Sequence, residues 1–426
     1  MAASLVLFSS FFGLLLIGAP IVIALGGSAM LVYLLSGDDY VSLVQTAWNA
    51  VDSFPIMALP AFILSGALMQ ASGISRRLVH IAELLAGPMA GGLGFSAILA
   101  SMFFGAISGS GPATTAAVGM LMIPALADKG YNKGYAAALT ASSGGLGVVI
   151  PPSIPMVIYG VTASESIGAL FIAGVIPGMM LAGGLMIANY VISKKNGYVG
   201  GDDHEPGELR KACIDGIWSI MAPLVILGGI YSGLFTPTEA AVVSVFYTLF
   251  VGKFIHKELT LDGLKESLSS TTWLTGRVLI IMFAATAFGR ILVENDTPTM
   301  IANALLSMTD SLALIWLIVI LFLILIGMFM ETLATIMIVT PVLLPVMVQL
   351  GVDPIHFGVV LVCCCEIGFS TPPLGENMFI SSSIAKVTIE EISVKALPFV
   401  FIEILVVFLM SYFPETVLWL PRLMGY

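Results

Sequence analysis

The chain repeats itself. Pro151 and Pro152 fall on Pro372 and Pro373 under a shift of 372 − 151 = 221 residues, and self-similarity at a fixed spacing marks a duplicated structural unit. The same shift pairs Pro124 with Pro345, Gly130 with Gly351, Gly147 with Gly368 and Pro177 with Pro398, all without a gap. Upstream, Phe62 meets Phe283, Leu84 and Leu85 meet Leu305 and Leu306, and Ala113 and Thr114 meet Ala334 and Thr335. Any fold must therefore hold two copies of one unit, at about residues 18–192 and 239–413, joined by a polar linker and an extra helix. With the flanks included, the chain divides into a first repeat at 1–192, a linker and helix at 193–238, and a second repeat at 239–426.

Lipid is the solvent these repeats require. With 58% hydrophobic and 10% charged residues, too few polar side chains exist to cover a soluble surface. Runs such as 312–329 and 398–413 approach or reach the ~20 apolar residues that cross a bilayer. Strand alternation is absent, and helices satisfy their own backbone in lipid, so an all-α polytopic membrane protein is expected. The first 35 residues have no basic start and too long an apolar stretch for a signal peptide, which predicts a retained first helix. The net charge of −10 resides mostly in loops, at Asp38, Asp39, Asp202, Asp203, Glu294 and Asp296, and argues against nucleic acid as a partner. Cys363, Cys364 and Cys365 are consecutive, so on a helix they point about 100° apart and cannot converge on one metal. Small buried residues is the expectation for them. The histidines, His80, His204, His256 and His356, are expected at surface positions near loops and helix ends.

Positive charge orients the crossings. Crossings near 4–35, 54–72, 135–163, 168–192, 214–235, 239–256, 272–292, 355–384 and 396–413 put nearly every lysine and arginine on one side, leaving Arg290 and Arg422 outside. From Gly18 to Glu239 the chain then crosses an odd number of times, so the second repeat is inverted relative to the first. Inverted repeats with matching interruptions are the mark of alternating-access carriers, in which each copy gates one side of a central site.

Four interruptions stand out. Residues 92–127 break at Ser108, Gly109, Ser110, Gly111 and Pro112, which predicts a re-entrant helical hairpin with its tip inside the membrane. Its mate at 311–350 breaks around Met330, Glu331 and Thr332. Broken helices are expected at 135–163, interrupted before Pro151 and Pro152, and at 355–384, interrupted before Pro372 and Pro373. Carbonyls freed there, with Ser and Thr hydroxyls, suit a small hard cation, while helix N-termini suit a carboxylate. Proline kinks packed by their neighbours are the competing reading. Glu331, Glu366 and Glu376 are membrane-depth acids, to be read as proton carriers, functional carboxylates, helix caps or residues facing a water-filled cleft. Asn377, able to donate and accept, is a candidate substrate contact whose mate is Met156. Shorter segments at 40–54 and 74–86, with mates at 261–274 and 295–306, read as amphipathic arms that brace a static scaffold.

At SGSGPATT (residues 108–115), IPPSIP (150–155), GLFTPTEA (233–240) and TPPLG (371–375) the chain resembles the large membrane subunit of tripartite ATP-independent periplasmic (TRAP) transporters, over essentially its whole length. The resemblance implies a bacterial inner-membrane, multi-pass, elevator-type carrier that takes up an organic acid of the sialic acid or C4-dicarboxylate type. It implies sodium as coupling ion, no other cofactor, a periplasmic substrate-binding protein and a small four-helix membrane subunit as partners. Carried onto matching positions, one sodium site involves Ser108, Ser110, Gly145, Val148 and Pro152, and its mirror Gly327, Gly368, Thr371 and Leu374. Thr114, Ser153, Glu331 and Asn377 are the expected substrate contacts. The alternatives are a proton-coupled inverted-repeat carrier that takes free substrate, a passive channel, and an intramembrane hydrolase using Ser108 or Ser110, for which no histidine base is expected at membrane depth.

Overall fold

A computed structural model describes residues 2–37, 39–87, 89–198, 200, 207–309, 311–372 and 375–426, and among them the secondary structure is entirely helical. Asp38, Asp202, Asp203, His204, Pro373 and Leu374 lie outside the described residues. Side-chain caps set where many helices start. Ser110, Asn132, Ser153, Ser166, Thr236, Thr260 and Thr388 each accept a backbone N–H from the first turn that follows, and Asp353 accepts two. Six described helices are long and apolar enough to cross a membrane, and two further pairs qualify as bent spans.

The duplication is visible helix for helix. Gly111–Asp128 maps onto Thr332–Gln349 at both ends under the shift of 221, since 332 − 111 and 349 − 128 both equal 221. Gly92–Ser108 corresponds to Leu312–Gly327, Lys133–Gly144 to Pro354–Phe369, Ile154–Ala163 to Glu376–Ala385, and Ile167–Asn196 to Ile389–Tyr412. Each copy thus has a hairpin, a broken helix and a long closing helix. Lys133–Val149 and Ile154–Ala163 meet at 43°, with Pro151 and Pro152 in the gap.

Three expectations need correction. The crossing expected at 4–35 is two helices, Ala2–Leu16 and Ile21–Ser36, packed side by side with Leu14 over Gly27. The reason is local: Gly18 takes a left-handed φ of 81° and Pro20 follows, so the helix closes through Gly18 and Ala19 N–H groups and cannot continue. The separate arm expected at 261–274 is absent as well, because Leu261–Glu294 is one helix of 34 residues. Its first-copy counterpart divides into Tyr40–Val51, the short turn Phe54–Met57 and Ala58–Ala71 around Pro55, whose repeat mate is Gly276. Without a proline the helix runs through. Finally, His356 is 2% exposed: it sits in the first turn of Pro354–Phe369, its ring against Trp316 and its Nε2 2.9 Å from the Met410 carbonyl. The triple cysteine is buried as expected.

Candidate cation and substrate site

The first hairpin rests on the break of its own repeat. Gly109 turns the tip with a φ of 60°, and its carbonyl accepts the Ile154 N–H at 3.2 Å. A side chain at Gly109 would meet the Pro152 carbonyl at 2.8 Å, so only glycine lets the tip approach the break. The Ser108 and Thr114 hydroxyls lie 2.9 Å apart, and Thr114 donates to the Ser110 carbonyl at 2.8 Å. Thr114 Oγ1 and the Ser110 carbonyl in turn pack on Gly147. Ser153 caps Ile154–Ala163 by accepting the Met156 N–H at 3.2 Å, and its hydroxyl donates to the Val148 carbonyl. Ser108, Ser110, Thr114, Val148, Pro152 and Ser153 therefore form one cluster. Gly145 is on the same helix but faces elsewhere, toward Glu366.

The second hairpin also packs on the crossing helix of its own repeat. Gly327, where its first arm ends, lies against Gly368, and a methyl group on Gly368 would overlap the Gly327 backbone. Thr371 N–H donates to the Gly368 carbonyl at 3.1 Å and the Thr371 hydroxyl to the Ile367 carbonyl at 2.5 Å, closing the helix before the break. Leu374, assigned to this site, is among the undescribed residues. Glu331 does not join the other expected substrate contacts through hydrogen bonds: its carboxylate is 2.7 Å from Arg277 Nη2 of Leu261–Glu294, with the guanidinium over the Trp273 ring.

The two repeats meet at Glu366. Under the shift of 221 its mate is Gly145, and the two touch: a methyl group on Gly145 would overlap the Glu366 carboxylate. A residue in contact with its own mate lies at the centre of the internal symmetry. Gly111 of the first hairpin is packed there too, so close that its missing Cβ would stand 3.0 Å from Glu366 Oε2. Asn377 Nδ2 donates to Glu366 Oε1 at 2.8 Å and to the Ala141 carbonyl at 3.3 Å, and Ser370 Oγ donates to that carbonyl at 3.3 Å. Asn377, expected to meet substrate, is wholly buried in this junction. Sequence reasoning missed Glu403, which is 5% exposed on Ile389–Tyr412 and has an unpartnered Oε2 among the described residues. A lone acid inside the apolar run 398–413 was the available signal.

The donors fit the cation that the resemblance implies. Hydroxyls of Ser108 and Thr114 and carbonyls of Ser110, Val148 and Pro152 are hard oxygen ligands, which suit a small hard ion rather than a soft one. Apart from both clusters, a cavity of about 990 Å³ lies between the long helix Leu261–Glu294 and the end of the first broken helix. Arg290, Thr286, Thr238, Glu165 and Ser53 line it, and so does Pro341 of the second hairpin. Part of GLFTPTEA thus faces a cavity, a placement the sequence did not disclose.

Residues 8–416 match the family described as "Tripartite ATP-independent periplasmic transporter, DctM component". The chain is 43% identical over 413 residues to the isethionate TRAP transporter permease protein DctMQ of Oleidesulfovibrio alaskensis, covering 96% of this chain and 65% of that protein. It is 37% identical over 416 residues to the sialic acid TRAP transporter large permease protein SiaM of Vibrio cholerae, covering 97% of each. Among solved structures, the Alcanivorax borkumensis YdaH transporter shares the fold with a TM-score of 0.65 at 14% identity, covering 88% of each chain. The family match runs through both hairpins and both breaks: the chain belongs to the DctM-component family of tripartite ATP-independent periplasmic transporters.

Proposed function

We propose that this chain is the large, substrate-translocating subunit of a sodium-coupled importer for an organic acid, in the bacterial inner membrane. A periplasmic binding protein delivers the substrate, and a small membrane subunit of four helices completes the complex. The relatives named for isethionate and sialic acid support an acidic organic substrate without choosing one. The observation that carries the reading is the paired construction: in each repeat the hairpin's first arm packs on the crossing helix just before its break, Gly105 on Gly147 and Gly327 on Gly368, the mate of Gly147. Oxygen donors and helix ends meet inside the protein there, which suits a cation beside an anion. The hairpins and broken helices move as a unit against a scaffold that includes Leu261–Glu294, an elevator.

Flux into vesicles holding the complex with its small subunit tests this. Uptake should require a sodium gradient and the loaded binding protein together. The buried acids Glu366 and Glu403 favour the rival, a proton-coupled carrier of free substrate. Accumulation driven by a proton gradient, without sodium or binding protein, would establish that rival instead.

A further inference from the structure

Glu366 is the one junction residue whose charge nothing described offsets. It is 5% exposed; Oε1 accepts from Asn377, whereas Oε2 has no hydrogen-bond partner among the described residues, and neither has Oδ1 of the fully buried Asn377. Both loose atoms are acceptors. The thiols of Cys363 and Cys365 share the helix of Glu366, and the first repeat packs Gly111 and Gly145 against its carboxylate. A buried carboxylate without a compensating charge is costly, and such groups are paired or hold metal ions.

We propose that Glu366, with Asn377 Oδ1 beside it, supplies the fixed negative charge of the cation site at the first hairpin and first break. The inference rests on the sodium-coupled reading above and adds the residue that balances the ion. Position supports it. Glu366 packs on Gly145 of the first break and stands two residues before Gly368 of the second, so one carboxylate spreads its field over both clusters. Only one acid fits there, because its symmetry mate must be glycine to leave it room. The loaded moving unit then crosses with one positive charge fewer than the ions it holds.

The test uses purified complex with its small subunit, titrated with sodium chloride against choline chloride at constant ionic strength, with thermal stability as the readout. For Glu366→Gln, which keeps the Asn377 hydrogen bond and removes the charge, the half-saturating sodium concentration should rise tenfold or more. Glu366→Asp, which keeps the charge but draws it back by one methylene, should fall between. Half-saturation unchanged from the parent in Glu366→Gln would overturn the proposal while leaving sodium coupling intact. A parent protein that sodium stabilises no more than choline does would overturn the sodium reading and this proposal with it. Should Glu366→Gln not fold, Glu366→Asp decides, and an unshifted titration there counts against the proposal.

Discussion

At the scale of single residues, glycines decide how closely the hairpin tips approach the breaks. Gly147 is the sharpest case, since a methyl group there would overlap Thr114 Oγ1 and stand 2.9 Å from the Ser110 carbonyl. Crowding of this kind in a close-packed interior costs about 1–3 kcal/mol. Gly147→Ala is therefore expected to lower thermal stability by about that amount and to weaken stabilisation by sodium, because Thr114 and Ser110 are pushed apart. Gly183→Ala, on a long helix with nothing within 4 Å, is the control: it should raise stability by roughly 0.5–1 kcal/mol and leave stabilisation by sodium unchanged. Equal unfolding temperatures for the two variants would refute the packing argument. Ser108, Ser110 and Pro152 were legible as interruptions because serine, glycine and proline break an apolar stretch. Glu403 and the burial of Asn377 were not, since both depend on which helix lies alongside, and no local pattern encodes that.

At the scale of elements, the sequence disclosed hairpins and breaks better than it disclosed continuity. A proline can stop a helix, although Pro124, Pro177, Pro341, Pro345 and Pro398 lie inside continuous helices, and nothing equally local marks where two segments fuse. Leu261–Glu294 shows the difference: its first-copy counterpart is divided at Pro55, and the second copy has Gly276 there and runs on. If the missing proline is the cause, restoring it should restore the division. Gly276→Pro removes a backbone donor in a helix interior and should cost roughly 3 kcal/mol or more. Gly276→Ala should do the reverse. Nothing lies within 4 Å of the Cβ it adds, and glycine in a helix interior is less stable than alanine by roughly 0.5–1 kcal/mol. Unfolding midpoints of the two variants would separate in opposite directions from the parent. A stabilising proline at 276 would show that the long helix is held by packing and not by its own backbone.

At the scale of the whole molecule, the duplication was legible from the spacing of prolines, and the helices repeat with the same shift of 221. What no spacing revealed is that Glu366 lies on its own mate, although the shift that pairs it with Gly145 was in hand; contact across a symmetry centre is a property of the assembled fold. That centre belongs to the hairpins and broken helices, and the elevator reading requires them to slide against Leu261–Glu294. Gly289 of that helix and Pro341 of the second hairpin offer a direct test, because a Cβ on Gly289 would lie 3.4 Å from the Pro341 Cβ. Disulfides join residues whose Cβ atoms are about 3.5–4.5 Å apart, so cysteines at these two positions should cross-link in the conformation described. Cys363, Cys364 and Cys365 are buried and leave Cys213 as the native thiol to replace first. If the hairpin travels, oxidation of Gly289→Cys/Pro341→Cys should abolish uptake and dithiothreitol should restore it. The cross-linked protein should still be stabilised by sodium, since the first hairpin and first break are untouched. Full uptake by protein shown by mass spectrometry to be cross-linked would mean that the second hairpin and the long helix stay together throughout the cycle, and the moving parts would have to be sought elsewhere.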